Sequence, residues 1–252
     1  MCGRFLLTTP LAAVRQLFGF PEMPNLTVRF NIAPGEPVAA MRLGEDLQRH
    51  FAWLQWGLVP SWSKEGRAND GAANDGKAVG ARPMAPLINA RAETVAEKPS
   101  FRAAFRSRRC VVFADGFYEW RQGGNRQPYH VRLLEGGPFA FAAIWEPAGV
   151  GSDANSNQGR ARDTCALITT AANEVMATVH HRMPVILSKD DVGQWLDPAS
   201  SPTALKPLLR PLPGEALALT PVSKRVNAVR NDDAGLLEEE RLPEAPSQMN
   251  LF

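Results

Sequence analysis

Apolar residues along this chain fall into short runs between turn residues, not into long periodic stripes. Ala52–Gly57, Arg109–Ala114, Gly116–Trp120, Tyr129–Leu134, Phe139–Ile144 and Cys165–Thr169 are rich in Val, Ile, Phe, Tyr and Trp. Val185–Leu187 and Ala216–Thr220 continue the pattern. Runs of this kind predict β-strands. Asp115–Gly116, between two of them, is a hairpin signal. Helical patterning is confined to Pro10–Phe18, Ser100–Ser107, Asn173–Val179 and Lys189–Trp195, with Ser188 suited to cap the last. Many strands, peripheral helices and no regular βαβ alternation predict an α+β fold.

Two stretches, Lys64–Gly80 and Gly149–Arg162, are dominated by Gly, Ala, Asn, Asp and Ser and read as surface insertions. From Ala234 the chain turns acidic and Pro-containing. The expected organisation is therefore one domain over 1–233 and a flexible acidic tail over 234–252. With 252 residues, 44% of them hydrophobic, the chain can fill one core. No run approaches the roughly 18 apolar residues of a membrane helix. The start shows no secretory-signal pattern, and Cys2 stands where myristoylation requires Gly. Three cysteines do not make a disulfide framework and fit a reducing compartment, so a cytoplasmic protein is expected.

The net charge of +2 is unevenly spread. Residues 1–230 hold 27 Lys and Arg against 20 Asp and Glu, and 22 of the chain's 28 bases are Arg. Arg forks suit phosphate, so a polyanionic partner fits, although a genome rich in Arg codons gives the same count. If the Ser100 helix continues, Arg102, Arg106 and Arg109 share one face, as a phosphate stripe or a solvated surface. Gly71–Ala78 approaches a phosphate-binding loop but lacks the Ser or Thr after Lys77 that would hold Mg²⁺. His and Cys show no paired metal spacing, there is no GxSxG elbow, and neither metal nor cofactor is expected.

The chain start carries the distinctive chemistry. Removal of Met1 would leave an α-amine and a thiol on adjacent carbons of Cys2. Their reference pKa values, about 7.7–8.0 and about 8.5, put both nucleophilic forms within reach of neutrality. The amine forms an imine with an aldehyde, and the thiol then closes a five-membered thiazolidine.

Cys2-Gly3-Arg4-Phe5, Arg29-Phe30-Asn31-Ile32-Ala33-Pro34-Gly35 and Trp56-Gly57-Leu58-Val59-Pro60-Ser61-Trp62 resemble the SOS response-associated peptidase (SRAP) family. So do Asn89-Ala90-Arg91-Ala92-Glu93-Thr94, Ala114-Asp115-Gly116-Phe117-Tyr118-Glu119-Trp120 and Thr170-Ala171-Ala172-Asn173. His180-His181-Arg182-Met183-Pro184 and Val222-Ser223-Lys224-Arg225-Val226-Asn227 complete an ordered series over most of the chain. The resemblance implies mostly antiparallel sheets forming a barrel-like core. It implies an abasic-site processing protein in which Cys2 forms a thiazolidine crosslink with abasic sites in single-stranded DNA. Association with a nucleoid would follow in a bacterium, and a monomer is expected. Closure would shield the strand, whereas failure to close would leave an imine that permits lyase cleavage.

The resemblance also implies site residues, each with a plainer alternative. Glu119 among aromatics suits proton transfer if buried, or faces outward on an alternating strand. His180 could protonate the deoxyribose ring oxygen or assist elimination, or be structural. Where the family commonly has Asp, His181 follows it here. Asn89 could hydrogen-bond the Cys2 amine or the sugar hydroxyl, or make an Asx-turn. Arg4 and Arg91 are candidates for flanking phosphates, or ordinary ion-pair partners. Pro34 and Trp62 could wedge or stack against neighbouring bases. Thr170 could touch the sugar or backbone, or simply end a strand. Cys110 and Cys165, in apolar runs, read as inert core.

Gln248-Met249-Asn250-Leu251-Phe252 resembles the motif by which bacterial repair proteins dock on the replication sliding clamp, through Gln248, Leu251 and Phe252. A tail folding back on its own domain is the alternative. Two other functions remain open. One is a cysteine peptidase pairing Cys2 with His180; the other is a non-catalytic single-strand binder.

Overall fold

The computed structural model describes residues 2–63, 85–148 and 162–242. The Lys64–Gly80 insertion, nearly all of the Gly149–Arg162 insertion and the Gln248–Phe252 motif lie outside the described residues. Thirteen strands are described: β1 (Arg4–Leu7), β2 (Arg29–Ile32), β3 (Pro37–Leu43), β4 (Arg49–Trp56), β5 (Asn89–Arg91), β6 (Arg109–Ala114), β7 (Gly116–Trp120), β8 (Pro128–Leu133), β9 (Phe139–Glu146), β10 (Thr164–Ala171), β11 (Arg182–Pro184), β12 (Ile186–Leu187) and β13 (Leu217–Pro221). Helices α1 (Leu11–Phe18), α2 (Arg102–Ser107), α3 (Glu174–Ala177), α4 (Lys189–Leu196) and α5 (Pro202–Leu205) lie between them. This is the α+β class the patterning predicts. Among the described residues no helix is long and apolar enough to cross a membrane.

The strands form two sheets. One has the order β13-β8-β7-β1-β2 and is antiparallel throughout. In the other, β10, β4, β3, β6 and β9 pair in turn, and β9 pairs back to β10, which closes a ring. Closure leaves these five strands no free edge. Strands β5, β11 and β12 attach to its outside pairings, β5 running parallel to β10. Phe5 of the first sheet reaches the ring's core, with its ring 5.2 Å from Trp56 and 5.7 Å from Phe141. Cys110 and Cys165 are fully buried in strands, and burial pushes both thiols up.

Three local expectations fail for tertiary reasons. Asp115–Gly116 is not a hairpin: β6 belongs to the ring and β7 to the other sheet. The Asp115 carboxylate instead accepts hydrogen bonds from the backbone and hydroxyls of both Thr8 and Thr9. Gly116 is demanded by packing, since a Cβ there would sit 2.3 Å from Nε2 of His130. Nor do the three arginines form a stripe. The helix ends at Ser107, and Arg109 is buried, donating to the carbonyls of Phe105, Arg106, Trp195 and Asp197. The folded body also extends past 233. Leu236 is fully buried beside Leu6, Tyr118, Val222 and Val226, and Glu239 bridges Val222. Burying Leu236 outweighs the acidic composition around it.

Candidate active site

The first sheet places Cys2 at its margin, just ahead of β1, whose residue Arg4 pairs with Tyr118 of β7. That register brings the chain start beside the end of β7, where Glu119 lies. Cys2 is fully buried, and its Sγ donates to the carbonyl of Arg4 at 3.8 Å. From the ring side, β5 delivers Asn89, whose Nδ2 donates to the Cys2 carbonyl at 2.9 Å. Asn89 Oδ1 is buried without a hydrogen-bond partner among the described residues. An orphaned buried acceptor of this kind is costly and marks a place where a donor can be received.

Three titratable groups converge here. Burial pushes the Cys2 thiol far up, and the neighbouring Glu119 carboxylate adds to the effect. The thiolate is therefore not preformed, contrary to the expectation from reference values; the thiol must give its proton to a base as it reacts. Glu119, 3% exposed, has its carboxyl pushed up, chiefly by burial. The positive amino terminus acts in the opposite direction on both groups. His180 is pushed down to about 4 by desolvation first and then by the amino-terminal charge. Its Nδ1 faces the Arg182 backbone, 2.9 Å from the N–H and 3.2 Å from the carbonyl oxygen. His181 stacks on it with centroids 4.4 Å apart and contacts Gln122 through Nδ1.

Cys2, Asn89 and Glu119 are thus brought together, and His180 shares the same amino-terminal field. Arg4 adjoins them, but its guanidinium already donates to Asn31 Oδ1 and to the carbonyls of Val226 and Asn227. Arg91 is exposed at the end of β5, and Thr170 is buried on β10. Pro34 is exposed after β2, and Trp62 is half exposed. Neither has a described hydrogen bond to the Cys2 cluster. No group of three or more His, Cys, Asp or Glu able to hold a metal occurs among the described residues.

The family model of the SOS response associated peptidases (SRAP) matches residues 1–229. The chain belongs to the SRAP family. YoaM of Bacillus subtilis, named an abasic site processing protein, is 34% identical over 247 residues, covering 95% of this chain and 99% of the relative. HMCES of Gallus gallus, named likewise, is 36% identical over 205 residues, covering 71% of this chain and 54% of that protein. A solved structure of a protein from Bacteroides thetaiotaomicron has the same fold, with a TM-score of 0.76 at 24% identity, covering 95% of this chain and all of the other.

Within this SRAP chain, roles for Arg182, Glu93 and Asn31 were not legible, although all three lie in the quoted family blocks. Arg182 is buried; its Nη2 reaches Glu93 Oε2 at 2.9 Å and the Thr169 carbonyl at 2.6 Å. This ties the segment after β5 to the one after His180. Asn31, fully buried, anchors the stretch beneath Arg4 through Nδ2 bonds to the carbonyls of Val226, Ala228 and Asn231.

Proposed function

We propose that this chain processes abasic sites in single-stranded DNA by forming a covalent thiazolidine through Cys2. The observation that carries the proposal is the set of groups around the chain start: Asn89 holds the Cys2 carbonyl while Glu119 lies beside the thiol. The names of the SRAP relatives supply the substrate class.

With Met1 removed, the Cys2 amine adds to C1′ of the ring-opened sugar and expels one water, giving an imine. The thiol then adds to the imine carbon: a C–S bond forms, and the thiol proton ends on nitrogen. Glu119 is suited to relay that proton, because burial places its carboxyl above the ordinary carboxylate range. His180, neutral at pH 7, gives a hydrogen bond from Nε2 to the ring oxygen as it opens, not a full proton. Asn89 Oδ1 accepts from the freed amine or from a sugar hydroxyl. Arg4 and Arg91 flank the lesion's phosphates, with Pro34, Trp62 and Thr170 against the adjacent strand. If ring closure is slow, the imine persists and the 3′ phosphate can leave by β-elimination, a lyase side reaction.

The test mixes purified protein with an abasic single-stranded oligonucleotide and follows a denaturation-resistant band without added reductant. Cys2→Ala or a retained amino-terminal extension should abolish it; equal crosslinking by Cys2→Ala would overturn the proposal. Gln248, Leu251 and Phe252 are proposed to dock the chain on a sliding clamp. Deleting the last five residues should abolish clamp pull-down, and unchanged pull-down would refute that docking.

A further inference from the structure

A pocket opens beside the Cys2 cluster, with a volume of ≈ 610 Å³. Its walls come from β1, from the turn joining β7 to β8 and from the 3-10 turn Lys224–Asn227. Trp120 and Arg4 form the side nearest the cluster: Trp120 follows Glu119 in the chain, and Arg4 lies two residues from Cys2. Arg126 and Lys224 form the outer rim, with Asn125 and Asn227 between. Among the described residues, no carboxylate lines the pocket.

The two rim cations are exposed, and among the described residues neither side chain has an ion-pair or hydrogen-bond partner. Six arginines of the fold are placed differently. Arg29, Arg42, Arg108, Arg182, Arg210 and Arg225 all sit on carboxylates. Arg126 is also held at φ 52, where side chains rarely sit, after Gly123 and Gly124 at φ 82 and 54. A non-glycine residue is held in such a backbone mainly where its position matters. The opposite wall is fixed: Trp120 Nε1 donates to Asn227 Oδ1 at 2.8 Å, and the Asn227 carbonyl accepts from Arg4 at 3.3 Å.

We propose that this pocket is a phosphodiester subsite, in which Arg126 and Lys224 take backbone phosphates of the strand as it leaves the Cys2 cluster. The assignment rests on the proposed action on single-stranded DNA. Two unpaired cations across a pocket without acids attract a polyanion, and the amides of Asn125 and Asn227 add neutral donors for phosphate oxygens. Trp120 gives an apolar wall that a sugar or base face can cover. The surface binds by charge and shape, with no base reading.

The test compares wild type, Arg126→Gln/Lys224→Gln and a control, Arg15→Gln/Lys189→Gln, whose cations are exposed elsewhere. Binding to an undamaged single-stranded 15-mer is measured from about 0.05 to 0.3 M salt. Two lost phosphate contacts should reduce the slope of log K against log salt by about 1.4 and weaken binding about 25-fold at 0.1 M. The control should keep the wild-type slope. On oligonucleotides with the abasic site near one end or the other, the deficit should appear with only one of the two flanks. A rim variant with the same slope and affinity as the control overturns the subsite and leaves crosslinking through Cys2 intact. Wild type that binds no single strand at all would overturn the functional proposal itself.

Discussion

Glu119→Gln asks whether the buried carboxyl moves protons at Cys2. The change preserves volume and planarity while removing titration and the carboxylate charge that faces the amino terminus. Glu119 is 3% exposed in β7, and burial, the leading cause, raises its carboxyl above the ordinary glutamate value. The folded state therefore holds this proton more tightly than the unfolded chain does. The stability it contributes is full below about pH 4.5 and is lost as pH rises through the folded pKa. Glutamine carries no such loss. The unfolding free energy of the variant minus that of wild type should climb as pH rises above about 4.5 and level off once the folded carboxyl is ionised. Activity should move the other way. A positioned proton carrier is commonly worth about 10²–10⁴-fold, so single-turnover crosslinking at about pH 7 should slow by that order. Urea melts at several pH values and a quenched gel time course read both quantities. Wild-type crosslinking by the variant, or a stability difference that stays flat with pH, would refute the reasoning.

Asn89→Ala removes the 2.9 Å bond to the Cys2 carbonyl; it should lower stability by about 1–3 kcal/mol and slow crosslinking more than it weakens DNA binding, read by thermal melts and single-turnover kinetics. Gly116→Ala would place Cβ 2.3 Å from His130 Nε2 and 2.9 Å from the Val131 carbonyl, and should cost about 1–3 kcal/mol by urea denaturation, with crosslinking impaired through displaced β7. His130 is pushed down to about 4, chiefly by burial, from 6.5. Because the unfolded chain takes up that proton first, stability should fall by about 3 kcal/mol as pH drops from about 6.5 to below 4. His130→Gln should flatten that fall, and an unchanged slope would sink the assignment. His180 is pushed the same way, and its ring resonances in NMR should titrate near 4, not near 6.5.

Where the sequence was legible, local chemistry decided the outcome. The runs at 109–114, 116–120 and 139–144 became β6, β7 and β9, since β-branched and aromatic residues with turn neighbours favour extended backbone wherever they land. Ser188 caps α4 as read, because capping needs only residues three apart; Asn173 caps α3, where it was expected inside the first turn. The motif blocks also named Cys2, Asn89 and Glu119, which the fold brings together. Strands β1, β2, β3, β5 and β11 were not legible. Asn89-Ala90-Arg91 is polar and three residues long, and it is a strand only because β10 offers it a parallel edge.

Partnership and desolvation were decided by the tertiary structure alone. Asp115 looks like a turn residue until β1 brings Thr8 and Thr9 to its carboxylate. Arg109 looks like a surface base until four carbonyls surround its guanidinium. A cysteine second in the chain has an ordinary thiol until two sheets exclude water from it. Residue types specify which groups are available and which backbone shapes are cheap. Which of them meet, and how strongly water is excluded between them, depends on contacts between segments 80 to 200 residues apart, such as Cys2 with Asn89 and Asn31 with Asn231. No local pattern encodes that distance.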